Sequence, residues 1–171
     1  GTASTKKFIK NNAGTLTEEA AITDSAGAGD ANKIPALDAS GRLDASFMPT
    51  GIGADTASIA SSENLAAGDL VNVWNDAGSP KVRKADATTA GKEAHGFVLA
   101  AVTSPANATV YFEGTNAQVT GLTAGPLFLS TTPGLATSTA PSASGNVVQR
   151  VGLATAATSM NFESGTPVVL A

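Results

Sequence analysis

Two aspartates around a Ser-Gly pair are the first candidates for chemistry in this chain. They lie in KIPALDASGRLDASFMPTGIGAD, Lys33 to Asp55, as Asp38-Ala39-Ser40-Gly41-Arg42-Leu43-Asp44. An EF-type calcium loop needs oxygen ligands at its first, third and fifth positions, glycine at the sixth and glutamate at the twelfth. Counted from Asp38, the third position is Ser40, the fifth is Arg42 and the twelfth is Pro49. A cation stands where a ligand should be, so the EF reading fails and no metal ligand is assigned. The stretch reads better as a turn: an Asx bond from Asp38 toward Ser40 or Gly41 holds the bend, with Gly41 at positive φ.

The other chemistry-bearing residues also lack companions. The single histidine, His95, sits in GKEAHGFV ahead of a strand pattern. There is no Gly-x-Ser-x-Gly elbow and no second histidine to build a nucleophilic site, so His95 reads as a strand-start residue at a surface or subunit contact. SAGAGDAN has glycines but lacks the Lys-Ser/Thr of a phosphate loop. Glu18-Glu19 belongs to a short predicted helix, not to a glycosidase pair. KKFIK is a small basic footprint on a chain of net charge −4, which argues against nucleic acid as a partner. No catalytic, cofactor-binding or metal residue is assigned, and the chain is expected not to be an enzyme.

What remains is packing chemistry. Only 14% of the 171 residues are charged and 5% are aromatic. A core built from small aliphatics gains much from burial against other chains. There is no cysteine, so no disulfide or thiolate site exists. No apolar run reaches membrane-spanning length, and no membrane partner is expected. The opening GTASTKKFIKNN lacks a signal peptide's apolar stretch, and Gly1 is small enough to follow a removed initiator methionine. The expectation is synthesis in a cytosol.

The elements that position these residues fall into two regions, 1–55 and 56–171. The first reads as an extended arm: Thr15-Leu16-Thr17-Glu18 has capping-box spacing and predicts at most two helical turns, amid turn and linker residues. Its apolar residues act as pegs of a docking strip: Phe8 and Ile9 first, then Ile34, Leu37, Leu43, Phe47 and Met48. Pro35 and Pro49 stiffen the strip and block helix. The second region reads as strands, in DLVNVW, PKVRKA, ATVYFE, VVQRVGLA and SMNFE, with turn residues between them. Two stretches, about 67–114 and 124–165, run in parallel: Ala-Gly and a strand, a Gly turn and a strand, a small-residue bend, a strand at Gly96-Phe97-Val98 or Gly152-Leu153-Ala154, and a last strand ending Phe-Glu. The predicted fold is mainly β, an extended arm followed by a compact sandwich or barrel of two related four-stranded units.

AGAGDANKIPALDASGRLDASFMPTGIGAD resembles a connector of tailed-bacteriophage structural proteins, of the form G-K-I-x-A-L-D-x-x-G-x-L-D-x-S-x-M-P. LFLSTTPGLATSTAPSASGNVVQRVGLATAATSMNFE resembles the β-module of phage head decoration and head-fibre proteins. Together the two stretches cover most of residues 26 to 163, and Lys33-Ile34-Pro35 departs from the connector pattern. The resemblance implies a non-enzymatic virion protein, made in the host cytoplasm and set on the outer capsid surface as a cement protein. The implied partners are the major capsid protein and its own copies in a homotrimer. The same modules occur in fibres, so a head- or tail-fibre adhesin binding a host-surface glycan is the alternative. Only Trp74 and Tyr111 offer aromatic faces for that role.

Overall fold

The computed structural model describes residues 1–49 and 53–171; residues 50–52, part of the connector, lie outside the described set. The chain divides into two compact units, Gly1–Gly53 and Ala54–Ala171. It is mainly β, in antiparallel sheets that do not close into a barrel.

In the first unit, β1 (Ala3–Asn12) and β2 (Thr15–Ile22) form an antiparallel hairpin, with Asn12 opposite Thr15 and Phe8 opposite Glu19. The connecting pair Ala13-Gly14 has φ 51° and 93°, the double positive φ of a type I′ turn. The Asn11 side chain accepts from the Gly14 N–H at 2.7 Å and holds the turn. The helix expected from Thr15-Leu16-Thr17-Glu18 is therefore corrected to strand. A helix of two turns cannot offset its nucleation cost alone, whereas the turn just before it delivers a ready partner strand. Beyond β2 the chain returns to it: Ile22 N–H donates to Ile34 O at 3.0 Å and Ala36 N–H to Ile22 O at 2.8 Å. Short 3-10 turns at Ala28–Asp30 and Ala45–Phe47 complete the unit. Its only buried apolar side chains among the described residues are Ala21 and Ile22.

The second unit contains β3 (Thr56–Ala60), β4 (Leu70–Asp76), β5 (Ser79–Lys84), β6 (Gly96–Val98), β7 (Asn107–Tyr111), β8 (Gly114–Asn116), β9 (Gly125–Leu129), β10 (Ala136–Thr137), β11 (Val147–Val148), β12 (Arg150–Ala156), β13 (Ser159–Phe162) and β14 (Val168–Val169). One sheet runs β3-β7-β6-β4-β5, the other β8-β13-β12-β9-β10, and β11 pairs with β14. The two five-stranded sheets have the same order: the first strand lies at an edge beside the last, then come the fourth, the second and the third. Each carries a leading strand, TASIA or GTN, that short polar stretches concealed.

Strand alternation sorts the apolar residues into two cores. Leu70 and Phe97 of the first sheet meet Leu127, Leu129, Met160 and Phe162 of the second. Phe97 stacks on Tyr111 with ring centroids 5.4 Å apart and tilts against Phe162 at 5.6 Å. Their neighbours Val71 and Val98 point the other way, into a second cluster with Leu65, Val82, Ala108 and Val110. The edges of the first sheet approach one another at a Ser61–Val82 bridge, which curls the sheet over this cluster. Gly96 and Gly152 hold equivalent places. A Cβ at either would strike a main-chain carbonyl of the adjoining last strand, Tyr111 O or Asn161 O. The pairing of β12 with β9 slips between Arg150 and Gly152, a bulge at the second glycine.

Gln149 ties the sheets together. It is fully buried, its Oε1 accepts from Ala94 N–H at 2.8 Å, and its Nε2 donates to Ala94 O at 2.9 Å. No sequence signal marked this residue: one glutamine between strand valines is ordinary, and only the pairing of distant segments buries it.

Candidate docking surfaces

The docking-strip residues sit on a scaffold with almost no interior. Ile9 is 66% exposed and Leu37 60%, while Phe8, Leu43 and Met48 are also exposed. Ile34 and Phe47 are half-buried. The strip is not one continuous face. Phe8 and Ile9 are successive strand residues and so point to opposite sides of the hairpin. Ile9 shares its side with Leu16, which is 73% exposed and lies opposite Asn11. Sequence reasoning missed Leu16 because it was placed in a helix; strand alternation with its β1 partners is the signal that finds it. Leu37 and Leu43 flank the 38–42 turn, which Asp38 N–H closes onto Arg42 O at 2.8 Å.

The two aspartates shape this backbone. The Asp38 carboxylate accepts from Ser40 N–H at 2.8 Å and Arg42 N–H at 2.9 Å, and Gly41 has φ 74°. Asp44 caps the Ala45–Phe47 turn, accepting from Ser46 N–H at 2.8 Å, and hydrogen bonding from the Ser46 side chain, then from its N–H, holds the carboxyl below the usual range. In the hairpin, Lys7 pairs with Glu18 at 2.8 Å, and Glu19 lies between Lys10 at 2.5 Å and Lys33 at 2.7 Å. Bonds from Lys10 and Lys33 pull the Glu19 carboxyl down to about 2, and Glu19 raises Lys33 in turn. Two of the three KKFIK lysines are thus committed to carboxylates of the same unit.

In the second unit, His95 is exposed at the start of β6. Its Nδ1 accepts from Val73 N–H at 3.1 Å and its backbone N–H donates to Val71 O at 2.8 Å. Its ring is hydrogen-bonded only to backbone among the described residues. Trp74 is half-buried under the Arg83 guanidinium, 4.6 Å from the ring centre, so one indole face is covered. Tyr111 lines a cleft of about 460 Å³ with Asp55, Glu113, Asn161 and Glu163, floored by Phe97. A second hollow of about 370 Å³ shares Asn161 and Glu163 with it and continues to Leu153 and Arg150. Among the described residues none of these three carboxylates, nor Arg150, is ion-paired, and no group of three ligating side chains could hold a metal. No described helix is long and apolar enough to cross a membrane.

No protein-family model, no curated protein and no solved structure matches this chain.

Proposed function

We propose that this chain is a structural protein of a tailed-phage virion, a decoration or cement protein that binds the outer surface of the major capsid protein lattice. The observation that carries this reading is the contrast in burial. The unit Gly1–Gly53 exposes Ile9, Leu16, Leu37, Leu43 and Met48 and buries only Ala21 and Ile22 among its described apolar residues. Contiguous exposed apolar side chains mark binding surfaces, and Ile9 with Leu16 on one side of the hairpin is the local patch that supports this reading. The unit Ala54–Ala171 is a well-packed sandwich suited to be a rigid knob. In this reading the first unit grips the capsid and the second joins copies into a homotrimer above it, with no cofactor and no catalysis. The resemblance of the connector and of the β-module to phage head proteins selects the capsid among possible partners.

The test is occupancy on undecorated heads of a tailed phage. Added protein should bind at hundreds of copies per head, the scale of a capsid lattice. Leu37→Ala with Met48→Ala should lower the affinity at least tenfold while the β unit keeps its melting transition. Undiminished occupancy would remove the docking role of the strip. Native virions carrying a few dozen copies or fewer would favour the fibre reading.

A further inference from the structure

The two sheets share one strand order but differ on their outer faces. The first sheet's outer face carries the Val71, Val82, Val98 and Val110 cluster, and the chain itself covers it with Leu65, Val102 and Ile59. Among the described residues the second sheet has no such cover. Pro126, Leu153, Asn161 and Thr115 stand in register across β9, β12, β13 and β8, and all four are exposed. This row has no charge. Charges gather instead along the strand ends beside it. Arg150 opens β12, Glu163 follows β13, Glu113 precedes β8 and Asp55 precedes β3. The two hollows share Asn161 and Glu163; Arg150 lines one, and Glu113 and Asp55 line the other.

We infer that this outer face and its charged rim form the contact between copies of this chain. The inference deepens the self-association part of the function proposed above and names its surface. The rim carries both halves of a complementary pair, and neither half is satisfied within one copy among the described residues. Arg150 of one copy fits the carboxylate-lined hollow of the next, which Glu113 and Asp55 share with Tyr111. Donor and acceptor patches differ, so the contact is heterologous, the kind that closes into a ring when the rotation permits. The uncharged row, centred on Leu153, supplies the apolar part that desolvates the rim and strengthens the ion pairs. Every second copy carries the complement of each of these patches, which is why a second copy is the occupant.

The experiment is light scattering on the full chain, without capsids, over a concentration series. The wild-type protein should be oligomeric. Arg150→Glu and, separately, Leu153→Asp should shift it toward monomer with at least a tenfold weaker association. Combining Arg150→Glu with Glu113→Arg should recover association, which mere loss of folding would not do; circular dichroism melts of each variant check that folding is kept. A wild-type chain that is monomeric throughout, or folded variants that keep the wild-type mass, would overturn the inference. Association through this face without binding to heads would keep it and discard the capsid reading, so the two fail separately.

Discussion

The hairpins β1–β2 and β4–β5 are built on one turn. Asn11-Asn12-Ala13-Gly14 and Asn75-Asp76-Ala77-Gly78 both put alanine and then glycine at positive φ, with φ 51° and 93° in one and 49° and 93° in the other. In both, the asparagine side chain accepts from the glycine N–H, at 2.7 Å and 2.9 Å. Beyond the turn they part. β1 is exposed along almost its whole length, and ion pairs from Lys7, Lys10 and Lys33 to Glu18 and Glu19 hold the hairpin. β4 starts with Leu70, Val71 and Asn72, all buried, between two apolar clusters. The same local code thus yields one hairpin packed into the interior and one left at the surface beside its ion pairs. Exposed ion pairs are worth little each, so the first hairpin keeps its apolar side chains available while the second spends them inside.

Removing one apolar side chain from each unit should separate them most. Phe97→Ala empties the contact with Tyr111 and Phe162 and should cost the β unit about 3–5 kcal/mol. Ile9→Ala, on an exposed strand, should change stability by less than about 0.5 kcal/mol. Denaturant unfolding of both variants decides; equal losses would mean that the hairpin of the first unit is packed against something in the free protein.

Acid should separate the two hairpins next. Glu19 is held at about 2 against an ordinary 4.5. Below that ordinary value the unfolded chain binds the proton and the folded hairpin does not. The stabilisation is therefore present above about pH 4.5 and fades as pH falls through about 2, and Asp24 and Asp44 are lowered in the same direction. Amide protection factors in β1–β2, taken against the intrinsic rate at each pH, should fall over that window while those of β4–β5 hold. Simultaneous loss of protection in both hairpins would make charge irrelevant to the difference.

The smallest effect sharpens the shared element. Asn11→Ala and Asn75→Ala each delete one side-chain bond to a turn N–H, worth about 0.5–1.5 kcal/mol. In the buried hairpin the packed strands should hold the register, and only stability falls. In the exposed one the turn is a larger share of what sets the pairing, so cross-strand nuclear Overhauser contacts such as Phe8 to Glu19 should weaken first.

That the chain is mainly β is legible in its residues alone. Alternating valines and aromatics between Gly, Pro and Asn leave few other solutions, and the strands over DLVNVW, PKVRKA, ATVYFE and SMNFE are local patterns. The 38–42 bend is legible there too, because Asp38 and Gly41 meet the needs of that turn within five residues. Whether Thr15–Ile22 is helix or strand is not. Thr-Leu-Thr-Glu satisfies a capping box and an alternating strand equally well, and the pairing with β1 decides. Nor do the residues alone show Leu16 as a surface residue, Gln149 as an inter-sheet tie, or Asp55, Glu113 and Glu163 as one rim. Each of these depends on segments far apart in the chain. Burial, and the meeting of unpaired charges, are properties of which strands lie side by side, and no window of sequence contains that information.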